Sequence, residues 1–375
     1  MSSKMPKSSK TILLYKARNL LGSSGGIEKV FVWLANGLDD NGYDVHIATR
    51  DTHYADFFFP LNKKIKFKHF DPQFSKLKHF IGKLSGERIA CCNRELHYSK
   101  MIRQYCDKIK PDVIIATGVK DLQDIVYDNP YNCRKILQLH MAPEYLLQNS
   151  SDKLLKVINK ADVVQVLLPS FADKIKPYVK EDIVVIGNPV EKNDIKAKKE
   201  KIIICPARIE TAKQQHLLIE AFAKVAKKYP DWQVHFYGAV SDKKYFAKCQ
   251  GLIERNNLQK QVLFKGVTNQ MPEKLSQASI CGFVSAQEGF GLGMAEAMAS
   301  GLPCVGFKSS SGVNELIKHN KNGYLADDIK DLAKYLGKLI DDGKLRDKLG
   351  NQARKDIAQF NLQTILTQWE ELING

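Results

Sequence analysis

Acidic residues are scarce in this chain. Its 41 Asp and Glu face 57 Lys and Arg, a formal net charge of +16 with a pI near 9.3. A surplus of that size points to an anionic partner and says nothing of the fold. Asp-x-Asp does not occur anywhere in the chain. Carboxylates so spaced could hold a divalent metal against an anion, and their absence fits anion binding by cations and helix N-termini. The eight cysteines (91, 92, 106, 133, 205, 249, 281 and 304) form no Cys-x-x-Cys pair and no Cys/His cluster, and Cys205 and Cys281 lie in apolar runs. They read as reduced, buried thiols of a cytosolic protein and not as disulfides or zinc ligands. No run approaches the ~18 apolar residues of a membrane span. The polar stretch Met1–Lys10 lacks the apolar centre of a signal peptide. A cytoplasmic protein, attached to a membrane at most peripherally, is the expectation. A P-loop, a Ser-x-Gly elbow with triad partners and a 20–50-residue repeat are all missing as well.

What remains is globular: 375 residues, 44% hydrophobic and 26% charged, enough for two domains. Short apolar runs alternate with helical patterns such as Ile27–Leu38, Lys153–Lys160, Leu217–Lys228 and Asp331–Leu339. Strands are predicted at Thr11–Tyr15, Asp44–Ala48, Asp112–Ala116, Lys135–Leu139, Val163–Leu168 and Ile183–Ile186. A second series covers Ile202–Cys205, Gln233–Tyr237, Val262–Phe264, Ile280–Val284 and Pro303–Gly306. This alternation predicts an α/β protein with parallel sheets and helices on both faces. The run Gly187–Glu200 opens with Gly, Asn and Pro and closes on charges, which is linker composition. The expected domains are therefore 1–187 and 188–358, with a separate C-terminal helix at 359–375.

The densest chemistry lies in Glu288-Gly-Phe-Gly-Leu-Gly-Met-Ala-Glu296. Glycines at 289, 291 and 293 let a ligand approach the backbone. A helix beginning near Leu292 would aim its free N–H groups at an anion. One glutamate falls before that helix and the other on its second turn, so two hydroxyl acceptors flank an anion-holding turn. A nucleotide sugar presents that pattern, a diphosphate between a sugar and a ribose. The bare Glu-x7-Glu spacing arises about once by chance in a chain of this length. Its context is more specific: Val284-Ser-Ala-Gln precedes it and Ala297-Met-Ala-Ser-Gly-Leu-Pro-Cys-Val305 follows. Further on stand Ser311-Gly-Val-Asn-Glu315 and Asn322-Gly-Tyr-Leu325.

Residues 283–325 resemble the retaining glycosyltransferases of family 4, which have the GT-B fold: two Rossmann-like domains with parallel sheets facing across a cleft. The resemblance is strong over about 200–325, moderate at 22–50 and 136–144, and poor from 51 to 110. It implies that Glu288 and His140 contact the donor sugar as the catalytic pair. Arg208, Lys213, Gly25, Gly26, Phe290, Gly291 and Leu292 would hold the donor diphosphate. Glu296 would take the ribose, Asn188 would lie in the cleft and Val267 would border the base. Retention of anomeric configuration is likewise implied by the family, as is a C-terminal helix that returns to the first domain.

Read without the family, several of these residues stay open. Gly25 and Gly26 suit a phosphate-facing helix start or a plain turn. Glu28 then caps the helix or joins the site. Arg208 and Lys213 could neutralise a leaving diphosphate or stand as solvated surface cations. His140 ends a strand, where a histidine is structural more often than catalytic. Gln214 stands where the family commonly has glycine. The expected function is metal-independent transfer of a hexose or N-acetylhexosamine from a nucleotide sugar, UDP-linked in preference to GDP-linked, to a glycan or lipid-linked acceptor. No cofactor or metal and no nucleic acid is expected. The alternatives are an epimerase of the same fold and a non-catalytic basic scaffold. A membrane surface enters through 57–84. There Phe57–Phe59 precede a stripe of Phe74, Leu77, Phe80, Ile81 and Leu84 flanked by Lys76, Lys78 and Lys83. Docking of that stripe on the anionic inner face of a cell membrane competes with a plain core-facing helix.

Overall fold

The computed structural model describes residues 10–52, 54–70, 87–149 and 151–375. The chain divides into two compact units. The first comprises Met1–Gly187 with Leu366–Gly375, and the second Asn188–Ile365.

Among the described residues of the first unit seven strands form one parallel sheet in the order β3-β2-β1-β4-β5-β6-β7. They are β1 (Thr11–Tyr15), β2 (Asp44–Thr49), β3 (Lys66–His69), β4 (Val113–Ala116), β5 (Arg134–Leu139), β6 (Val163–Val166) and β7 (Asp182–Val185). Central β1 and β4 are almost wholly buried and read as unbroken apolar runs, as strands covered on both faces must. Edge strand β3, Lys-Phe-Lys-His, alternates exposed and half-buried residues. The sequence reading missed it, because four residues with two lysines carry no apolar signal. Lysine on such an edge discourages pairing with another chain. The helix Leu362–Asn374 enters this unit at Leu366. A Cβ on Gly37 would stand 3.1 Å from Leu366, Lys10 Nζ donates to Ile373 O at 3.0 Å, and Trp369 is buried.

The second unit repeats the plan. Its strands are β8 (Ile202–Pro206), β9 (Gln233–Tyr237), β10 (Val262–Gly266), β11 (Ile280–Gly282), β12 (Cys304–Phe307) and β13 (Gly323–Ala326). They pair in parallel in the order β10-β9-β8-β11-β12-β13. Strand β13 was also missed, since a glycine opens its four residues. Its core packs Ile203, Cys205, Val234 and Phe236 against Leu218, Phe222 and Leu336. Both sheets reverse direction of winding at one point, between β1 and β4 and between β8 and β11. Ligands of doubly wound sheets bind at the carboxyl ends of the strands flanking that point. The stripe Phe74–Leu84 lies outside the described residues.

Candidate functional site

In the second unit the chain leaving β8 and the chain leaving β11 run together at that reversal. Lys213 Nζ stands 2.8 Å from Glu288 Oε1, with the two side chains only 16% and 12% exposed. Backbone bonds hold the loops: Ala286 N–H donates to Ala212 O at 2.9 Å and Glu288 N–H to Ser311 O at 2.9 Å. Ser310 Oγ donates to Ser285 O at 2.6 Å. Gly312 has φ +83°, and a Cβ there would fall 2.4 Å from Glu288 O, so only glycine lets the 308–312 loop lie against Glu288. Arg208 is more open, at 59% exposure, and meets Glu210 at 3.2 Å. Its carbonyl accepts a 2.7 Å bond from the buried Gln215 side chain. Gln214 adopts φ +49°, which accounts for a glycine being common at that place.

The helix Leu292–Ala299 begins where the sequence predicts. Gly291 precedes it at φ +76°, and the first intrahelical bond runs from Ala295 N–H to Gly291 O. The amides of Leu292, Gly293 and Met294 therefore have no acceptor within the helix. A Cβ on Gly293 would lie 2.4 Å from Pro206 O, so the helix starts directly against the end of β8. Free amides, Lys213 and Glu288 thus meet at one strand end, with Arg208 on the chain that leaves β8. Glu296 is on the same helix and half-buried. Phe290 differs from the rest. Its ring is 2% exposed and packs edge-on against Phe360 at 5.0 Å, so its side chain anchors the loop and only its backbone can face a ligand. Asn188 is buried at the start of the unit. Val267 is 54% exposed, after Gly266 at φ +70°, on the rim of a cavity of about 460 Å³ that Thr268 and Tyr237 also line. Among the described residues no group of three or more His, Cys, Asp or Glu side chains could hold a metal.

In the first unit Gly25 precedes the helix Gly26–Asp40 with no side-chain cap. The Glu28 carboxylate folds back against Gly25, and Lys16 Nζ stands 3.2 Å from its other oxygen. His140 follows β5. Both its ring nitrogens are shut off from solvent with no hydrogen-bond partner. Burial, and then the charge of Lys16, push its pKa down to about 4, so the ring is neutral at pH 7. Beneath this cluster Tyr15 donates to Asp124 at 2.9 Å and Arg50 Nε meets the same carboxylate at 2.7 Å. Burial lifts neighbouring Asp121 to about 6. Sequence reasoning missed Lys16, Asp121 and Asp124.

Residues 189–356 match the family model described as glycosyl transferases group 1. An uncharacterized glycosyltransferase of Haemophilus influenzae is 25% identical over 94% of this chain and 97% of its own length. A poly(ribitol-phosphate) alpha-N-acetylglucosaminyltransferase of Staphylococcus aureus is 30% identical, over 71% of this chain and 56% of that enzyme. Among solved structures, Anabaena HepE in complex with UDP and glucose superposes with a TM-score of 0.78 at 21% identity, covering 98% of this chain and 100% of that one. With its two reversed parallel sheets and the acidic, glycine-rich turn at the end of β11, the chain is a glycosyltransferase of the GT-B fold whose residues 189–356 match the group 1 model.

Proposed function

We propose that this glycosyltransferase moves a hexose or N-acetylhexosamine from a UDP-sugar to a glycan or lipid-linked acceptor, with retention and without a metal ion. The observation that carries this reading is the Lys213–Glu288 pair at the head of the Leu292–Ala299 helix. As the sugar bond breaks, negative charge grows on the departing diphosphate. Arg208, Lys213 and the free helix amides are fixed donors for that charge. Glu288 accepts from a sugar hydroxyl and Glu296 from the ribose, while Val267 borders the base. In the first unit Gly25 and Gly26 take phosphate, and neutral His140 meets the sugar. UDP is favoured because HepE was solved with UDP. Relatives named as a poly(ribitol-phosphate) N-acetylglucosaminyltransferase and a lipopolysaccharide galactosyltransferase favour a cell-surface acceptor.

The first unit also presents exposed Tyr54 and Phe58, with exposed Lys63, Lys64, Lys66 and Lys68 close by in the chain. An apolar and basic combination of this kind supports docking on the anionic inner face of a cell membrane. The described residues contain no helix long and apolar enough to cross one.

The test is a panel of UDP- and GDP-linked sugars, with nucleotide release followed in the presence and absence of EDTA. The anomer formed would be read by NMR. Inversion would overturn retention, and loss of turnover in EDTA would overturn metal independence. A converted donor sugar with no nucleotide release would mean an epimerase. Neither release nor UDP binding would mean a scaffold.

A further inference from the structure

We propose that Lys16 is a positioning residue of this site: its ammonium neutralises the Glu28 carboxylate at the start of the Gly26–Asp40 helix, so that a donor diphosphate can approach the Gly25–Gly26 turn. The inference rests on the reading that this turn faces the diphosphate.

The sequence puts the two residues in place. Lys16 is the first residue after β1, at the reversal point of the sheet. Glu28 is the third residue of the helix that follows. A glutamate there reaches back toward the residue before the helix, which is one half of a capping box. Gly25 occupies the other half and has no side chain to contribute. The Glu28 carboxylate folds into the space a Cβ on Gly25 would fill. It is 7% exposed, so its charge is poorly screened by water.

Such a placement helps the helix and harms an anion site. A carboxylate in the first turn interacts well with the helix dipole. The same carboxylate repels a diphosphate drawn to that N-terminus. Lys16 resolves the conflict. Its ammonium is 3.2 Å from Glu28 Oε1 and donates to Arg18 O at 2.8 Å, with the side chain only 12% exposed. It is fixed from both sides and adds back the charge that Glu28 removes. Its charge also reaches His140, where burial first and Lys16 second disfavour protonation.

The experiment measures UDP affinity by calorimetry in the full chain for wild type, K16M, K16R, E28Q, K16M/E28Q and R208A, with a thermal midpoint for each. K16M should weaken UDP binding by about tenfold or more, the scale of one uncompensated charge near a partly screened site. K16R should bind as wild type does. K16M/E28Q should recover most of the loss, because no anion is left to oppose the diphosphate. E28Q alone should tighten binding, and it carries the test should K16M fail to fold. Wild-type affinity in K16M beside weakened binding in R208A overturns the role of Lys16 alone. A double variant no better than K16M, or weaker binding in E28Q, does the same. Wild-type affinity in R208A overturns the donor-site reading itself.

Discussion

Replacing Lys213 with alanine separates catalysis from stability. The lysine and Glu288 form a 2.8 Å pair at 16% and 12% exposure, between the exposed and the fully buried regimes. Exposed pairs contribute ~0–1 kcal/mol, whereas removing one partner of a buried pair costs ~3–5 kcal/mol. At this depth Lys213→Ala should cost about 1–3 kcal/mol, because Glu288 is left charged and uncompensated. For a unit of this size each kcal/mol lowers the midpoint by ~2–4 °C, so scanning calorimetry should record a drop of roughly 2–12 °C. Turnover should fall about 10²–10³-fold, the usual loss when one fixed donor to a developing charge is removed. The double variant K213A/E288Q distinguishes the two effects. It removes the stranded charge and should regain most of the midpoint, yet stay as slow as K213A or slower. A lowered midpoint with turnover within about threefold of wild type would leave the pair a purely structural tie and remove Lys213 from the chemistry.

Glu288→Gln keeps size and loses charge, so turnover should fall steeply while free UDP still binds; Glu296→Ala should instead weaken UDP binding. Equal effects of both on calorimetric UDP affinity would argue against that division. His140 has a folded pKa near 4 against about 6.5 unfolded, so the unfolded chain binds more protons between those values and stability falls as pH drops through that window. His140→Gln should flatten urea-measured stability from pH 6.5 to 4, and an unchanged slope would place the titration elsewhere. Vesicle co-sedimentation at low salt should retain wild type on anionic lipid and lose a variant with Phe58 to Ser and Lys63, Lys64 and Lys68 to Glu. Equal binding of the two would remove this patch from membrane docking.

Periodicity made the two parallel sheets legible, because central strands such as β1 and β12 are nearly pure apolar runs. Strands β3 and β13 were not, since two lysines interrupt the one and a glycine opens the other. The Glu288–Glu296 turn was legible because its glycines and its helix start are local signals. The contacts that set its geometry are not local. Gly312 against Glu288 and Gly293 against Pro206 join segments that only the folded sheet brings together. Lys213 and Arg208 looked equivalent as cations five residues apart. Only packing separates a lysine held on Glu288 from an arginine largely in solvent. Lys16 carries no motif at all, and its meaning comes from β1 ending beside the first turn of the next helix.

The return of the chain to the first unit at Leu366 bears on the order of synthesis. Leu366, Trp369 and Ile373 are buried, and Leu366 packs on Gly37. Nothing upstream supplies these side chains, so a ribosome that has released residues 10–187 has released a unit without its last helix. The 178 intervening residues, Asn188–Ile365, form the entire second unit. That unit can therefore finish folding first, shortening the span over which the last helix must search for Gly37. Until then an apolar face around Gly37 stays open, and the nascent chain is at its most vulnerable to aggregation and proteolysis.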